Sequence, residues 1–316
     1  MTHTPRVVIL SGGLSHERDV SLRSGRRVAE SLRAAGAEVT VHDVDADLIP
    51  ALRDIRPDVV WPILHGASGE DGSIRDVLEL VGCRSVGTGP RASRVAWSKP
   101  VAKSVVARAG IATPDYVTLP QSLFRELGAQ VVLESAVERL GLPLVVKPSQ
   151  GGSALGVTLV STMAELPQAM VSCFAYGEIA LIERAILGTE IATSVVETAD
   201  GPVALPSVEI VTDGPYDYDA RYNPGRTEYF SPARLTEEQA EAVASTAIRA
   251  HAALGLRGLS RTDMILTPDG TPTFLEVNVA PGMTETSLFP QAAVAGGHAL
   301  PDLYLSIVEH ARAGGA

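Results

Sequence analysis

The side chains best placed to do chemistry lie near the C-terminal end: Arg261 and Asp263 in one apolar run, Glu276 and Asn278 in the next. Both runs have strand character, and Thr267-Pro268-Asp269-Gly270 separates them, with proline presetting φ and glycine supplying a positive φ. Side chains alternate along a strand, so Arg261 shares a face with Asp263, and Glu276 shares a face with Asn278. If the two faces coincide, two carboxylates, an amide oxygen and a guanidinium converge. Oxygen donors of this kind suit Mg²⁺, which completes its shell with phosphate and water. Two carboxylates alone would more often belong to a solvated hairpin with a salt bridge. Phe274, Leu275, Val277 and Val279 crowd the polar pair, however, and a partly buried carboxylate needs a cation.

A second candidate is the stretch Pro148-Ser149-Gln150-Gly151-Gly152-Ser153-Ala154-Leu155-Gly156, with Lys147 just before it. Backbone N–H groups of a glycine-rich loop can close over phosphates, and a lysine at its root can reach a phosphoryl oxygen. It is not a Walker loop, since GxxxxGK[ST] is absent, and Gly12-Gly13 does not complete a GxGxxG fingerprint. Taken singly, such a loop is more often a flexible turn. Among 26 basic side chains, only Lys99, Lys103 and Lys147 are lysines. A compact ammonium retained where arginine is otherwise used marks a position that needs a point charge.

The elements that must position these groups follow from local pattern. Residues 7–10 form a short buried-strand run, Gly12-Gly13 breaks it, and residues 21–35 carry helical periodicity. Such units alternate to about Pro90, as in a small α/β layer. Residues 144–147 and 157–160 read as two strands joined by the glycine-rich tip, a hairpin. Thr236-Glu237-Glu238-Gln239 is a capping box; Val243, Ala247, Ala250 and Leu254 then repeat at helical spacing until Gly255. Three α/β segments are expected, at residues 1–98, 99–187 and 188–316.

Composition bounds the function. The chain has 316 residues, 45% hydrophobic and 20% charged, enough for several substantial cores. Its net charge of −11 and lack of a basic cluster argue against nucleic acid or an anionic membrane as partner. Cys83 and Cys173 lack metal spacing and are expected to be buried thiols. With no signal-peptide pattern and no run long enough to span a bilayer, the expected compartment is the cytoplasm.

Joined in order, these features resemble the ATP-grasp fold: the glycine loop with its lysine, residues 179–183 ending in Glu183, then Asp263 and Glu276-x-Asn278. Four further stretches resemble the D-alanine–D-alanine ligase family within it. They are Gly12-Gly13-Leu14-Ser15-His16-Glu17-Arg18-Asp19-Val20-Ser21; His65-Gly66 through Gly69-Glu70-Asp71-Gly72; Tyr216-Asp217-Tyr218-Asp219-Ala220-Arg221-Tyr222; and Glu276-Val277-Asn278 through Pro290. The resemblance covers nearly the whole chain. It implies an α/β (α+β) architecture of three domains, an N-terminal parallel-sheet domain followed by two ATP-grasp subdomains.

In that family ATP phosphorylates the carboxylate of a first D-alanine, and the amine of a second attacks the acyl phosphate, giving the dipeptide used in peptidoglycan. By resemblance, Lys99, Lys147 and Arg221 bind ATP phosphates, Glu183 and its neighbours hold the adenine, and Glu190 holds the ribose. Asp263, Glu276 and Asn278 bind two Mg²⁺ ions, with Mn²⁺ as a substitute. Glu17 takes the first ammonium, with His65 nearby; Arg261 and the Gly282 N–H face the oxyanion; Ser287 and the Leu288 backbone take the second carboxylate. Ser153 and Tyr222 link to Glu17 and close the site. The resemblance also implies amino-acid substrates and a homodimer. Three positions depart from the family pattern: Arg221 replaces lysine, Ala154 a second serine, and Trp97-Ser98-Lys99 the usual Met-Asp-Lys. They leave open a paralogue with another substrate pair; a nucleotide-binding regulator without turnover is a third reading, against which the intact Lys147, Arg261, Asp263, Glu276 and Asn278 stand. Singly, Glu17 could be a helix-entry acid, His65 a turn residue and Tyr222 a surface aromatic.

Overall fold

The computed structural model describes residues 4–212 and 227–314. Three strands, β1 (Arg6–Leu10), β2 (Glu38–His42) and β3 (Val59–Pro62), form a parallel sheet in the order β2-β1-β3. Val7, Val8, Ile9 and Leu10 of the central strand are all buried, which is why that run is continuously apolar rather than alternating. The helix that follows, Arg18–Ala34, begins three residues before the expected start. The Arg18 N–H donates to the Ser15 carbonyl, so the turn at Ser15 already commits the chain to helix.

The second sheet contains β4 (Tyr116–Pro120), β5 (Leu144–Pro148), β6 (Thr158–Val160) and β7 (Ile179–Arg184), antiparallel in the order β4-β7-β5-β6. Leu144 pairs with Val160 and Val146 with Thr158, so the glycine-rich stretch is the connection of a hairpin, as its sequence indicates. Helices Ala129–Leu140 and Leu166–Phe174 cover this sheet, and Leu133, Leu140, Val146, Met170 and Ile182 form a core of its own. Cys173 is buried in that core, and Cys83 is half-buried; both are free thiols.

The third sheet is antiparallel: β8 (Thr189–Thr198), β9 (Gly201–Ala204), β10 (Val208–Thr212), β11 (Thr227–Phe230), β12 (Leu259–Leu266) and β13 (Pro272–Asn278). Its order is β11-β10-β8-β12-β13, with β9 also on β8. The capping box forms as expected: the Gln239 N–H donates to Thr236 Oγ1 at 3.3 Å, and the Thr236 N–H to Gln239 Oε1 at 3.0 Å. The helix it opens, Glu237–Ala253, lays Val243 and Ala247 against Ile191, Val195 and Met264 of the sheet. In the β12–β13 turn the Gly270 N–H donates to the Thr267 carbonyl at 2.9 Å, with Gly270 at φ +84°.

The first and third sheets share one core. Val7, Ile9 and Trp61 pack with Ala192 and Val196 of β8, with Phe289, and with Tyr304 and Ile307 of the last helix, Leu300–Arg312. Trp61 and Tyr304 meet edge to face at 5.6 Å. Among the described residues, no helix is long and apolar enough to cross a membrane.

Candidate active site

The register of β12 against β13 decides whether the polar faces coincide. Arg261 lies opposite Asn278 and Asp263 opposite Glu276, so the four side chains share one face. The register then shifts: Met264 pairs with Phe274, leaving Leu275 as the extra residue of a β-bulge. Strict alternation would place Phe274 on the same side as Glu276. The bulge turns Phe274 instead into the apolar layer with Ala102, Val106 and Leu254.

Arg261 grips Asp263 with two parallel hydrogen bonds, Nε to Oδ1 and Nη2 to Oδ2, each 2.7 Å. The Ala280 N–H donates to Asn278 Oδ1 at 2.7 Å and so fixes that oxygen. No three His, Cys, Asp or Glu side chains cluster as a metal cage among the described residues. Asp263, Glu276 and Asn278 form an all-oxygen, incomplete set, which fits a hard cation that takes its other ligands from phosphate and water.

The lysines stand beside this face. Lys99 opens the helix Lys99–Arg108; its Nζ donates to the Gly151 carbonyl at 2.6 Å and lies 3.3 Å from Glu276 Oε2. One ammonium thus ties the glycine-rich connection to β13. Lys147, on β5, puts Nζ 2.6 Å from Glu183 Oε1, and Lys103 puts its own 2.8 Å from Oε2. All three side chains are buried. Burial alone would push the Glu183 carboxyl up; the ammoniums of Lys147 and Lys103 more than offset it and hold the group below its ordinary value. Burial brings Lys103 down to about 8 against the pull of Glu183. Two ammoniums on one carboxylate leave a local surplus of positive charge, suited to a polyanion. Lys103 had no role in the sequence reading; its signal was its place four residues after Lys99 in a lysine-poor chain. Glu190 is half-buried on β8, between Ile210 and Ile265 in register. Arg221 and Tyr222 lie outside the described residues.

The remaining candidates surround a cavity of about 120 Å³, lined by Glu17, His65, Ser153, Arg261, Asn278, Gly282, Ser287 and Leu288, together with Val20, Arg23, Glu70, Gly152, Tyr229, Thr284 and Thr286. Glu17 makes no capping bond to its own helix; Oε1 accepts the Ser153 hydroxyl instead. Ser153 and Ala154 have φ of +53° and +55°, a left-handed pair that side chains other than glycine rarely adopt and that concentrates at functional loops. His65 Nδ1 bonds the Ala280 carbonyl at 3.1 Å, while its buried Nε2 has no protein partner. Burial lowers the His65 pKa, with Glu17 opposing, so the ring is neutral at pH 7 and Nε2 is an acceptor.

Glu70, given no role by its sequence position, accepts the Gly66 N–H at 2.9 Å. Burial, then the neighbouring Glu17, pushes its carboxyl up to about 8. Gly66 has φ +70°, and a Cβ there would stand 3.1 Å from Glu17 Oε2. At Gly282 a Cβ would fall 2.7 Å from Ser287 Oγ, so a side chain there would displace the Ser287 hydroxyl. Ser287 precedes the helix Leu288–Ala295, and its Oγ accepts the Thr284 N–H at 2.9 Å. The arrangement offers a carboxylate for an ammonium, a guanidinium and a backbone donor for an oxyanion, and a helix N-terminus for a carboxylate.

Comparison with known proteins finds relatives over nearly the whole chain. Residues 105–309 match the family described as D-ala D-ala ligase C-terminus. The chain is 41% identical over 307 residues to a D-alanine–D-alanine ligase of Anaeromyxobacter dehalogenans (strain 2CP-C), covering 97% of this chain and 96% of that protein. It is 38% identical, with the same coverage, to the D-alanine–D-alanine ligase of Pelotomaculum thermopropionicum. The D-alanine–D-alanine ligase from Bacillus anthracis complexed with ATP superposes with a TM-score of 0.83 at 29% identity, covering 99% of this chain and 100% of that one. The VanG D-Ala:D-Ser ligase from Enterococcus faecalis superposes with a TM-score of 0.83 at 25% identity, covering 98% and 100%.

Proposed function

The chain belongs to the D-alanine–D-alanine ligase family, and we propose that its own site joins two D-alanines with the cleavage of ATP to ADP and phosphate. The observation that supports this best is that Glu17, Arg261, Gly282 and Ser287 line one cavity of about 120 Å³, which brings a carboxylate, a guanidinium, a glycine backbone and a hydroxyl around room for a small amino acid.

In this reading Glu17, held by Ser153, receives the ammonium of the first D-alanine, and neutral His65 accepts a second hydrogen bond from it. A carboxylate oxygen of that substrate attacks the γ-phosphorus of ATP, ADP leaves, and an acyl phosphate forms. Lys99, Lys147 and Lys103 hold the polyphosphate, since phosphoryl transfer is mostly positioning and charge neutralisation. Glu183 and its neighbours face the adenine, Glu190 the ribose, and Arg221 the phosphates. Mg²⁺ held by Asp263, Glu276 and Asn278 supplies neutralisation of the phosphate oxygens. The unprotonated amine of the second D-alanine then attacks the acyl carbon. Arg261 and the Gly282 N–H stabilise the oxyanion, which collapses with loss of phosphate. Ser287 and the Leu288 N–H orient the acceptor, and Tyr222 closes the site against water. Residues 1–98, 99–187 and 188–316 act as substrate, phosphate-loop and metal-bearing domains, in a homodimer supplying cell-wall precursor in the cytoplasm.

The D-Ala:D-Ser ligase shares the fold at 25% identity, so acceptor choice is the point to test. Phosphate release from Mg-ATP with D-alanine, D-serine and D-lactate, with products identified by mass, is expected to yield D-alanyl-D-alanine from D-alanine alone. Release only with another acceptor would move the substrate. Nucleotide binding without release would replace the ligase reading by a regulatory one.

A further inference from the structure

The helix Arg18–Ala34 contributes more to the cavity than the proposed reaction uses. Glu17, just before it, and Val20 and Arg23, at successive intervals of three, all line the same space. Arg23 lines the same cavity as Thr286, Ser287 and Leu288, the residues assigned above to the acceptor carboxylate, and its charge is felt at the adjacent Glu285. Among the described residues no hydrogen bond or ion pair engages its guanidinium. Arg27, one turn further on, is ion-paired with Glu285. The Glu285 carboxyl is held below its ordinary value chiefly by its own backbone N–H and Arg27, with Arg23 contributing least. Arg23 is thus an exposed cation at the cavity rim whose neighbouring carboxylate is already taken.

The spacing suits a dipeptide. Six residues of helix advance about 9 Å, and two extended residues span at most about 7 Å. The remainder is within reach of a flexible arginine side chain. A dipeptide with its ammonium on Glu17 and extended along this helix would place its far carboxylate within range of Arg23. We propose that Arg23 is a specificity-determining residue for the acceptor, its guanidinium engaging the carboxylate of the second amino acid across from Ser287 and Leu288. The planar fork of arginine suits a carboxylate. This inference rests on the reading that Ser287 and Leu288 hold that carboxylate.

An internal competition tests it. D-alanine and D-alaninamide are supplied together with Mg-ATP; the amide has no free carboxylate and serves only as acceptor. The ratio of dipeptide to dipeptide amide, resolved by mass, gives the preference of the enzyme for an acceptor carboxylate. Arg23→Ala is expected to lower that ratio about fivefold, the upper range for an exposed charge pair. It should also raise KM for the second D-alanine while leaving kcat and the KM for ATP unchanged, and Arg23→Lys should retain most of the ratio. An unchanged ratio in Arg23→Ala, with a lowered one in Ser287→Ala, overturns the role of Arg23 alone. Unchanged ratios in both variants would mean that the acceptor carboxylate lies elsewhere, and the underlying reading falls with the proposal.

Discussion

Glu276 is the residue on which the metal assignment depends most, because it faces Asp263 across the hairpin and also meets Lys99. Glu276→Gln keeps shape and removes charge. It is expected to lower kcat/KM by about 100-fold or more, since even outer-shell changes at metal sites cost 10–100-fold, with an unaltered circular dichroism spectrum. Activity within a few-fold of wild type would remove Glu276 from the metal set. Glu70 makes a different prediction. Its folded carboxyl titrates near 8, against an ordinary value of 4.5. Between those values the unfolded chain releases a proton that the folded chain keeps, so the contribution of Glu70 to stability is intact below about pH 4.5 and is lost as pH rises through 8. Glu70→Gln, whose amide oxygen can still accept the Gly66 N–H, is therefore expected to gain melting temperature over wild type progressively from pH 5 to pH 8. A constant difference across that range would show that Glu70 is not the titrating group.

At the scale of elements, local pattern carried much of the site and then stopped. Alternation alone put Arg261 with Asp263 and Glu276 with Asn278, and the observed register joined those faces. The bulge at Leu275 was not legible, because neither glycine nor proline marks it and its cause is tertiary: Phe274 must reach the layer of Ala102 and Val106. Lys103 stood out as one of three lysines, but its role was hidden for a similar reason. Its partner, Glu183, lies eighty residues away on β7, and no spacing rule connects the two. The capping box, by contrast, is written in four consecutive residues and formed as read. Thr236→Ala is expected to cost about 1 kcal/mol in urea unfolding with no change in ligase rate, since neither Thr236 nor Gln239 lines the cavity. A rate loss greater than twofold would mean that this helix end communicates with the site.

At the scale of the molecule, the second sheet has its own core, whereas the first and third are fused through the last helix. Nothing local in residues 7–10 or 300–312 indicates that they meet, because hydrophobic periodicity shows which face is buried and not what buries it. Deleting residues 300–316 should therefore damage the first sheet before the second. The expected result is loss of amide protection along β1 and a changed emission from Trp61, with protection of β5 and β7 retained. Uniform loss across all three sheets would show a single cooperative unit instead.

The packing of Tyr304 and Ile307 on Trp61 also bears on how the polypeptide is made. Chains generally begin folding from the end that leaves the ribosome first. Here Val28, Ala29 and Leu32 of the helix Arg18–Ala34 cover part of the first sheet early, but the rest of that side waits for the last helix, some 240 residues later in translation. For most of synthesis Trp61 lacks the edge-to-face partner Tyr304, and that part of the core is an unfinished apolar surface. A premature stop codon in the last helix would leave that surface uncovered in the finished product, a harsher outcome than loss of a terminal tail suggests.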